Sequence, residues 1–458
     1  MDHRQLRPHM SLGAFVHETG QHVAGWRHPG AYRDAGSSFA QIMATAQTAE
    51  RGLFDLFFLA DSSAVSLVGT PGSQGRMSKV VKFEPITLLS ALAAVTSRIG
   101  LVATASSTYN DPYLLARQFA SLDQISGGRA GWNLVTSNNE AEALNHSRDA
   151  HLAHADRYDR AIEFAAVVQG LWDSWDDDAF QRDAETGVFF DPAKVHPLHH
   201  RGEHFQVRGP LSVACSPQGR PVLVQAGASD TGRDVAARLA ELVFTAQTTF
   251  EQAQAFYADV MARLPAFGRA PGDVCIMPGL YPVVGRTQAE AEDKFARLQA
   301  LIEPSVGIAI LEHTIGVHGL SAHDLDGPVP DMSITNGPRS RQALLLEAAR
   351  RDGLTLRQLC QLNAGPRGHV LACGTPAHIA DTMEHWFRDG AADGFNVMPA
   401  WLPGSLDDFV DSVVPELQRR GIYRTAYTGT TLREHLGLAR PTPVRGTVQR
   451  DTDRRAAV

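Results

Sequence analysis

Small polar and acidic residues stand directly behind four apolar runs of this chain. Asp61-Ser62-Ser63 closes FDLFFLAD, Thr104 through Thr108 closes the run from Ile99, Asn133 through Asn139 follow Ala130, and Gly227-Ala228-Ser229 follows PVLVQA. A carboxylate immediately behind LFFLA is placed to meet a ligand, although aspartate there serves equally as a helix N-cap. The segment QAGASDTGRDVA at 225–236 carries the most local information. A buried strand runs into Gly-Ala-Ser and then a helix, so backbone N–H groups and the positive end of the helix dipole face open space. Gly227 allows close approach of an anion and Ser229 adds a hydroxyl, but the same residues also make an ordinary helix cap. His196, His199, His200 and His204 crowd one short stretch; a histidine-rich surface hairpin is the plainer reading and a metal site the sharper one.

The elements that must position these groups alternate along the chain. Strands are expected over Ser11–His17, Phe54–Asp61, Ile99–Ser106, Ala130–Thr136, Pro221–Ala226, Leu242–Ala246, Val274–Val284 and Phe395–Pro399, from their β-branched or continuous apolar runs. Amphipathic helices fall between them, including Ser38–Arg51, Asp111–Ile125, Ala155–Trp172 and Leu406–Arg420. Strict alternation predicts a parallel sheet, and eight strand–helix units predict a closed (β/α)8 TIM barrel formed by the whole chain, 1–458. The active site of such a barrel lies at the strand C-termini, where the polar clusters stand. Two insertions break the rhythm. One, at about 173–218, contains HHRGEHFQVRGPLSV and reads as a β-hairpin. The other, at about 303–393, begins with a Gly/Pro/His-rich stretch, 304–341, expected to be a lid-like loop. The tail 422–458 has no periodicity and is expected to wrap the surface or a partner subunit.

Composition narrows the function class. The net charge of -8 and scattered basic residues, apart from RDTDRR at 450–455, argue against nucleic acid. Cys215, Cys275, Cys360 and Cys373 show no metal or disulfide spacing and are expected to be free thiols. No apolar signal-peptide core or membrane-length run occurs, so a cytoplasmic protein is expected. GxGxxG, Walker and GxSxG patterns are missing, which disfavours nucleotide-fold dehydrogenases, P-loop enzymes and α/β-hydrolases.

With these pieces placed, the chain resembles the bacterial luciferase-like superfamily, in its nitrilotriacetate/EDTA and dibenzothiophene-sulfone monooxygenase branch. The resemblance rests on HVAGWRHPGA, ERGLFDLFFLAD, FEPITLLSALAAVTSRIGLVATASSTYNDPYLLARQFASLDQISGGRAGWNLVTS, AHADRYDRAIEFAAVVQGLWDSW, SPQGRPVLVQAGAS and GFNVMPAWLPGSLDDFVDSVVPELQRRG, in that order. One departure is Asn138-Asn139 behind VTS, which bears on pocket shape. The resemblance implies an FMN-dependent monooxygenase that receives FMNH2 from a separate NAD(P)H:flavin reductase and forms a C4a-hydroperoxide with O2. It then oxygenates a small aminopolycarboxylate or organosulfur substrate, as a homodimer or homotetramer. It also implies that Ser229 and the Gly227–Ala228 backbone hold the phosphate, with His154 and Tyr158 of HADRY reaching the phosphate or ribityl chain. Asp61 and Thr104 would meet the isoalloxazine ring, Asn133 its polar rim, and the small residues of TASS would let it stack. His22, His28 and His318 are the candidate proton donors, and 303–341, with His313 and His323, the lid. In the lid only Arg339 and Arg341 are basic, which argues against a multiply charged acid as substrate. The competing readings are an F420-dependent oxidoreductase of the same superfamily, a non-catalytic flavin-binding protein, and a metal-dependent barrel hydrolase.

Overall fold

The computed structural model describes residues 7–137, 139–332 and 339–443, apart from the side chains of 154, 155 and 339–341. Its strands are β1 (Ser11–Val16), β2 (Leu56–Leu59), β3 (Gly100–Ser106), β4 (Ala130–Val135), β5 (His200–Arg201), β6 (Gln206–Val207), β7 (Val222–Ala226), β8 (Leu242–Thr245), β9 (Cys275–Val284), β10 (Val370–Gly374) and β11 (Gly394–Val397). Strands β1, β2, β3, β4, β7, β8, β9 and β11 pair in that order and β11 returns to β1, every pairing parallel. The expected barrel is therefore closed. β5 and β6 form the expected antiparallel hairpin outside it.

Strand β10 was not anticipated. Val370–Gly374 pairs with the upper half of β9, from Leu280 to Val284, beyond the point where β9 has left β8. Five residues, with Leu371 partly exposed, are too short and too mixed for periodicity to separate from a loop. The stretch 304–341 also differs from expectation. Pro304–Ile315 is a helix, capped by the Glu303 side chain and ended by Gly316 at φ 69. It packs with the helices Arg339–Asp352 and Leu356–Ala364 around Ile308, Leu311, Ile315, Leu345, Leu356 and Leu359. Pro304 and Gly316 stand at the helix ends, where they favour rather than break the helix, and Gly307 is buried inside it.

Period-two alternation sorts the strand side chains. The lumen is filled by Phe15, Leu56, Phe58, Val102, Val224, Leu242, Phe244 and Met277, while the outward residues pack on the helices. Phe15, Phe58 and Phe244 meet with ring centroids 4.8 to 5.8 Å apart and close the lumen midway. Below them the C-terminal segment, expected on the surface, instead seals the floor. Leu432 and Leu436 enter the inner core, and Leu432 occupies space that a side chain on Gly100 or Gly131 would fill, 2.4 and 3.1 Å from their Cβ positions. The Tyr423 hydroxyl donates to the Leu53 carbonyl at 2.6 Å, and the Tyr427 hydroxyl to that of Phe54 at 2.6 Å. Arg424 pairs with the buried Asp55 carboxylate, which also accepts from the Leu12 N–H at 2.7 Å. Burial pushes Asp55 up to about 6 despite the nearby Arg424. The RDTDRR stretch lies outside the described residues.

The floor makes a direct prediction. Leu432→Ala removes a buried side chain from a closed site and is expected to cost about 2–5 kcal/mol in urea unfolding. The exposed Leu114→Ala, at 52% exposure, should stay within about 0.5 kcal/mol. Equal effects would show that the tail does not plug the barrel.

Candidate active site at the barrel mouth

Thr104 and Asn133 face one another across β3 and β4 and point inward just above the aromatic layer. The Asn133 amide donates to the Thr104 hydroxyl at 2.8 Å, and both residues are buried. The Asn133 carbonyl oxygen is buried with no protein partner. Such an oxygen costs about 1–3 kcal/mol unless a donor arrives, so it suits a ligand that presents an N–H or O–H group. Asp61 is half-buried at the mouth but already bound to Lys82, Nζ to carboxylate 2.8 Å. Behind β4, Ser137 adopts φ 56 and its hydroxyl meets that of Ser106 at 2.8 Å. Arg157 donates to the Ser137 carbonyl, and its buried Nε has no protein partner. Asn138 lies outside the described residues, as do the side chains of Arg339 and Arg341.

Gly227, Ala228 and Ser229 follow β7, the neighbour of β4, so they open on the same side of the mouth as Arg157. The Ser229 hydroxyl accepts from the Gly232 N–H at 3.1 Å and caps the helix Asp230–Leu239. That capping bond uses a lone pair only, and the O–H stays available to donate to an anion. A side chain on Gly227 would lie 2.6 Å from Gln225 Nε2. Tyr158 is half-buried on the helix His154–Trp172 and its side chain acts electrostatically on Arg157. His154 opens that helix, and its side chain lies outside the described residues.

The three histidines expected as proton donors are not brought together. His22 is fully buried; its Nδ1 accepts from the Ala24 N–H at 3.1 Å and its Nε2 lies 3.4 Å from Gln299 Oε1. Burial pushes it down to about 3, so it is neutral and holds the β1 loop. His28 stacks on Trp401 at 4.2 Å, and burial lowers it. His318 is exposed on the helical insertion, as are His313 and His323. Two other histidines flank the aromatic layer. His17 lies 5.2 Å from the Phe15 ring, and His369 stacks on Phe244 at 5.2 Å. His17 directly follows β1, so extending the search for strand-end polar residues to the first strand would have found it. His369 arrives on a loop from an insertion and left no local signal. Among the hairpin histidines, His200 binds Glu163 at 2.9 Å, and Glu163 also accepts from the His204 and Phe205 N–H groups. This carboxylate fastens the hairpin to the barrel helix. Among the described residues no group of three such side chains is arranged for a metal ion. No helix among them is long and apolar enough to cross a membrane.

A closed parallel barrel with a polar mouth and the orphaned Asn133 amide carbonyl admits several chemistries, and comparison with known proteins narrows them. The model of luciferase-like monooxygenases matches residues 19–393. The chain belongs to the luciferase-like monooxygenase family. It is 51% identical over 434 residues to the N-acetyl-S-(2-succino)cysteine monooxygenase of Bacillus subtilis (strain 168), covering 94% of this chain and 97% of that one. Nitrilotriacetate monooxygenase component A of Aminobacter aminovorans is 48% identical over 440 residues, with 94% and 97% covered. The EDTA monooxygenase structure from Chelativorans sp. BNC1 superposes with a TM-score of 0.81 at 35% identity, covering 94% of this chain and 99% of that one. The chain is accordingly a flavin-dependent monooxygenase.

The neutral His22 generates a pH prediction. A histidine whose folded value lies below its unfolded one contributes stability that is present above about 6.5 and lost as pH falls towards 3. Wild type should therefore lose its stability advantage over His22→Leu between pH 7.5 and about 4.5. Urea titrations at both pH values check this; a constant difference would mean that His22 takes up a proton in the folded state.

Proposed function

We propose that the chain is the oxygenase component of a two-component system, taking reduced FMN from a separate NAD(P)H:flavin reductase. Substrate, O2 and FMNH2 would give oxygenated substrate, water and FMN. Bound reduced flavin supplies the two electrons that activate O2. The observation that carries this reading is the buried Asn133 carbonyl, which lacks a donor at the mouth of the barrel. It would accept from the flavin rim, with Thr104 fixing the amide so that the carbonyl, not the N–H2, faces the ligand. Ser106, on the same face of β3 as Thr104, is small enough to leave room for a planar ring.

Ser229 and the Gly227–Ala228 backbone would bind the phosphate, aided by the helix N-terminus behind them. Arg157 and Tyr158 would complete that subsite, with His154 one turn away on the same helix. Asp61, joined to Lys82, would border the ring rather than touch it as a free carboxylate. Phe15, Phe58 and Phe244 close the lumen beneath and deny water entry from below. The helix Pro304–Ile315 packs against Pro71–Gln74, and the Val23 N–H of the β1 loop donates to the Ala364 carbonyl at 2.9 Å; this insertion would serve as the lid.

The purified chain is expected to consume no NADH by itself. With FMN and a generic flavin reductase it should convert at least one of N-acetyl-S-(2-succino)cysteine, nitrilotriacetate or dibenzothiophene sulfone, read by mass spectrometry of the products. NADH consumption without reductase would contradict the two-component reading. For the phosphate subsite, Ser229→Ala and Tyr158→Phe should each weaken FMN by about 0.5–3 kcal/mol in fluorescence titration, without additivity. Riboflavin should bind wild type and both variants alike. If only melting temperature falls, Ser229 is a cap and no more.

A further inference from the structure

A buried carboxylate joins the mouth-side ends of β2, β3 and β4. Glu142 lies in the short helix Glu140–Asn145 behind β4 and is 3% exposed. One of its oxygens accepts from the Ser62 hydroxyl, behind β2, and the other from the Ser137 hydroxyl, behind β4. The Ser137 hydroxyl also meets that of Ser106, the last residue of β3, at 2.8 Å, and Ser106 Oγ accepts from the Thr108 N–H at 3.1 Å. A hydroxyl has one hydrogen and a carboxylate offers none, which fixes the direction of these bonds. The single Ser137 hydrogen cannot serve both neighbours, and the carboxylate can only accept. Ser62 and Ser137 therefore donate to Glu142, and Ser106 donates to Ser137.

Ser137 carries this clamp to the phosphate side of the mouth. Its backbone stands at φ 56, in the left-handed region. A serine persists there only when its surroundings hold it. Its carbonyl accepts from Arg157 and lies 3.3 Å from His151 Nε2. A carbonyl only accepts, so Nε2 carries the ring hydrogen and Nδ1 accepts from the Tyr109 hydroxyl. Burial and then Arg157 lower His151 below its ordinary value, in keeping with a neutral ring. Tyr109 in turn stacks on His146 with centroids 4.7 Å apart, and His146 Nε2 lies 2.9 Å from the Ser63 hydroxyl. Release of the Ser137 hydroxyl would free this residue to leave φ 56, and its carbonyl would carry Arg157 and His151 with it.

We propose that Glu142 is a positioning residue for the FMN phosphate: by clamping Ser137 it fixes the carbonyl that sets where the Arg157 guanidinium stands. This rests on the reading above, in which Arg157 completes the phosphate subsite. Both Glu142 oxygens are taken by serine hydroxyls, so the carboxylate acts at one remove from the flavin. Glutamine can fill the same place with one hydroxyl reversed, its oxygen accepting from one serine and its N–H2 donating to the other. Alanine reaches neither.

The test titrates oxidised FMN and riboflavin into the full chain by flavin fluorescence. Glu142→Ala should weaken FMN about tenfold, the scale of one charge-assisted bond, and leave riboflavin within about twofold. Glu142→Gln should hold FMN within about threefold of wild type. Arg157→Gln should itself weaken FMN about tenfold, and adding Glu142→Ala to it should cost nothing further, because both withdraw the same guanidinium. Loss of FMN and riboflavin together would overturn the proposal, since a general slackening of the mouth does not read the phosphate. So would losses that add to those of Arg157→Gln, FMN binding undisturbed by Glu142→Ala, or glutamine as weak as alanine. If Glu142→Ala fails to fold, Ser137→Ala releases the same clamp at its other end and is held to the same outcomes. Arg157→Gln with FMN binding intact would instead remove Arg157 from the phosphate subsite, and the proposal with it. Failure of wild type to bind either flavin would overturn the oxygenase reading itself.

Discussion

Eight parallel strands closed into a ring leave a lumen that water cannot usefully fill, and the whole chain is arranged to occupy it. Inward side chains must be apolar where the lumen is dry, and polar groups can survive only where something meets them. Phe15, Phe58 and Phe244 take the middle, and Leu432 with Leu436 takes the floor. The cost of this arrangement is a set of ionisable groups trapped at the floor, Asp55 among them, which Arg424, Tyr423 and Tyr427 surround. The mouth is the one end left for chemistry.

That end is electrostatically divided. On the side of β4 and β7, a capping hydroxyl, a helix N-terminus and Arg157 would meet the phosphate of the proposed FMN. On the side of β1, His17 lies against Phe15, and Lys79, Lys82 and Arg367 from two other segments come near enough to act on it. Between them the Thr104–Asn133 pair presents a carbonyl fixed by its own hydrogen bond. Burial keeps the nearby His17 and His22 neutral, which limits like-charge repulsion among groups already crowded with cations.

Specialisation within the family is carried by the insertions. The hairpin of β5 and β6 is fastened by Glu163, which binds the His200 ring and accepts from the Glu203, His204 and Phe205 N–H groups. The insertion that holds Pro304–Ile315 has a core of its own and delivers Arg367 and His369 to the mouth. An element with its own core can vary without disturbing the barrel, which suits a family whose members oxidise dissimilar compounds.

Periodicity and alternation along the sequence determined the eight barrel strands, their order and the strand-end polar residues Asp61, Thr104, Asn133 and Ser229, because each depends on neighbours a few residues away. Family likeness in ordered motifs carried the flavin chemistry. The tertiary structure alone decided the rest. It placed the C-terminal segment on the floor, since a tail without periodicity shows no destination until the cavity it fills exists. It made β10 a strand by offering it the free edge of β9. It showed that His22 is sealed and His28 stacked, because burial is a property of what packs around a residue. And it brought Lys79, Lys82 and Arg367, separated by nearly three hundred positions, close to His17. Their types were visible in the sequence, but the electrostatic field they share depends on distance through space, which only the closed barrel sets.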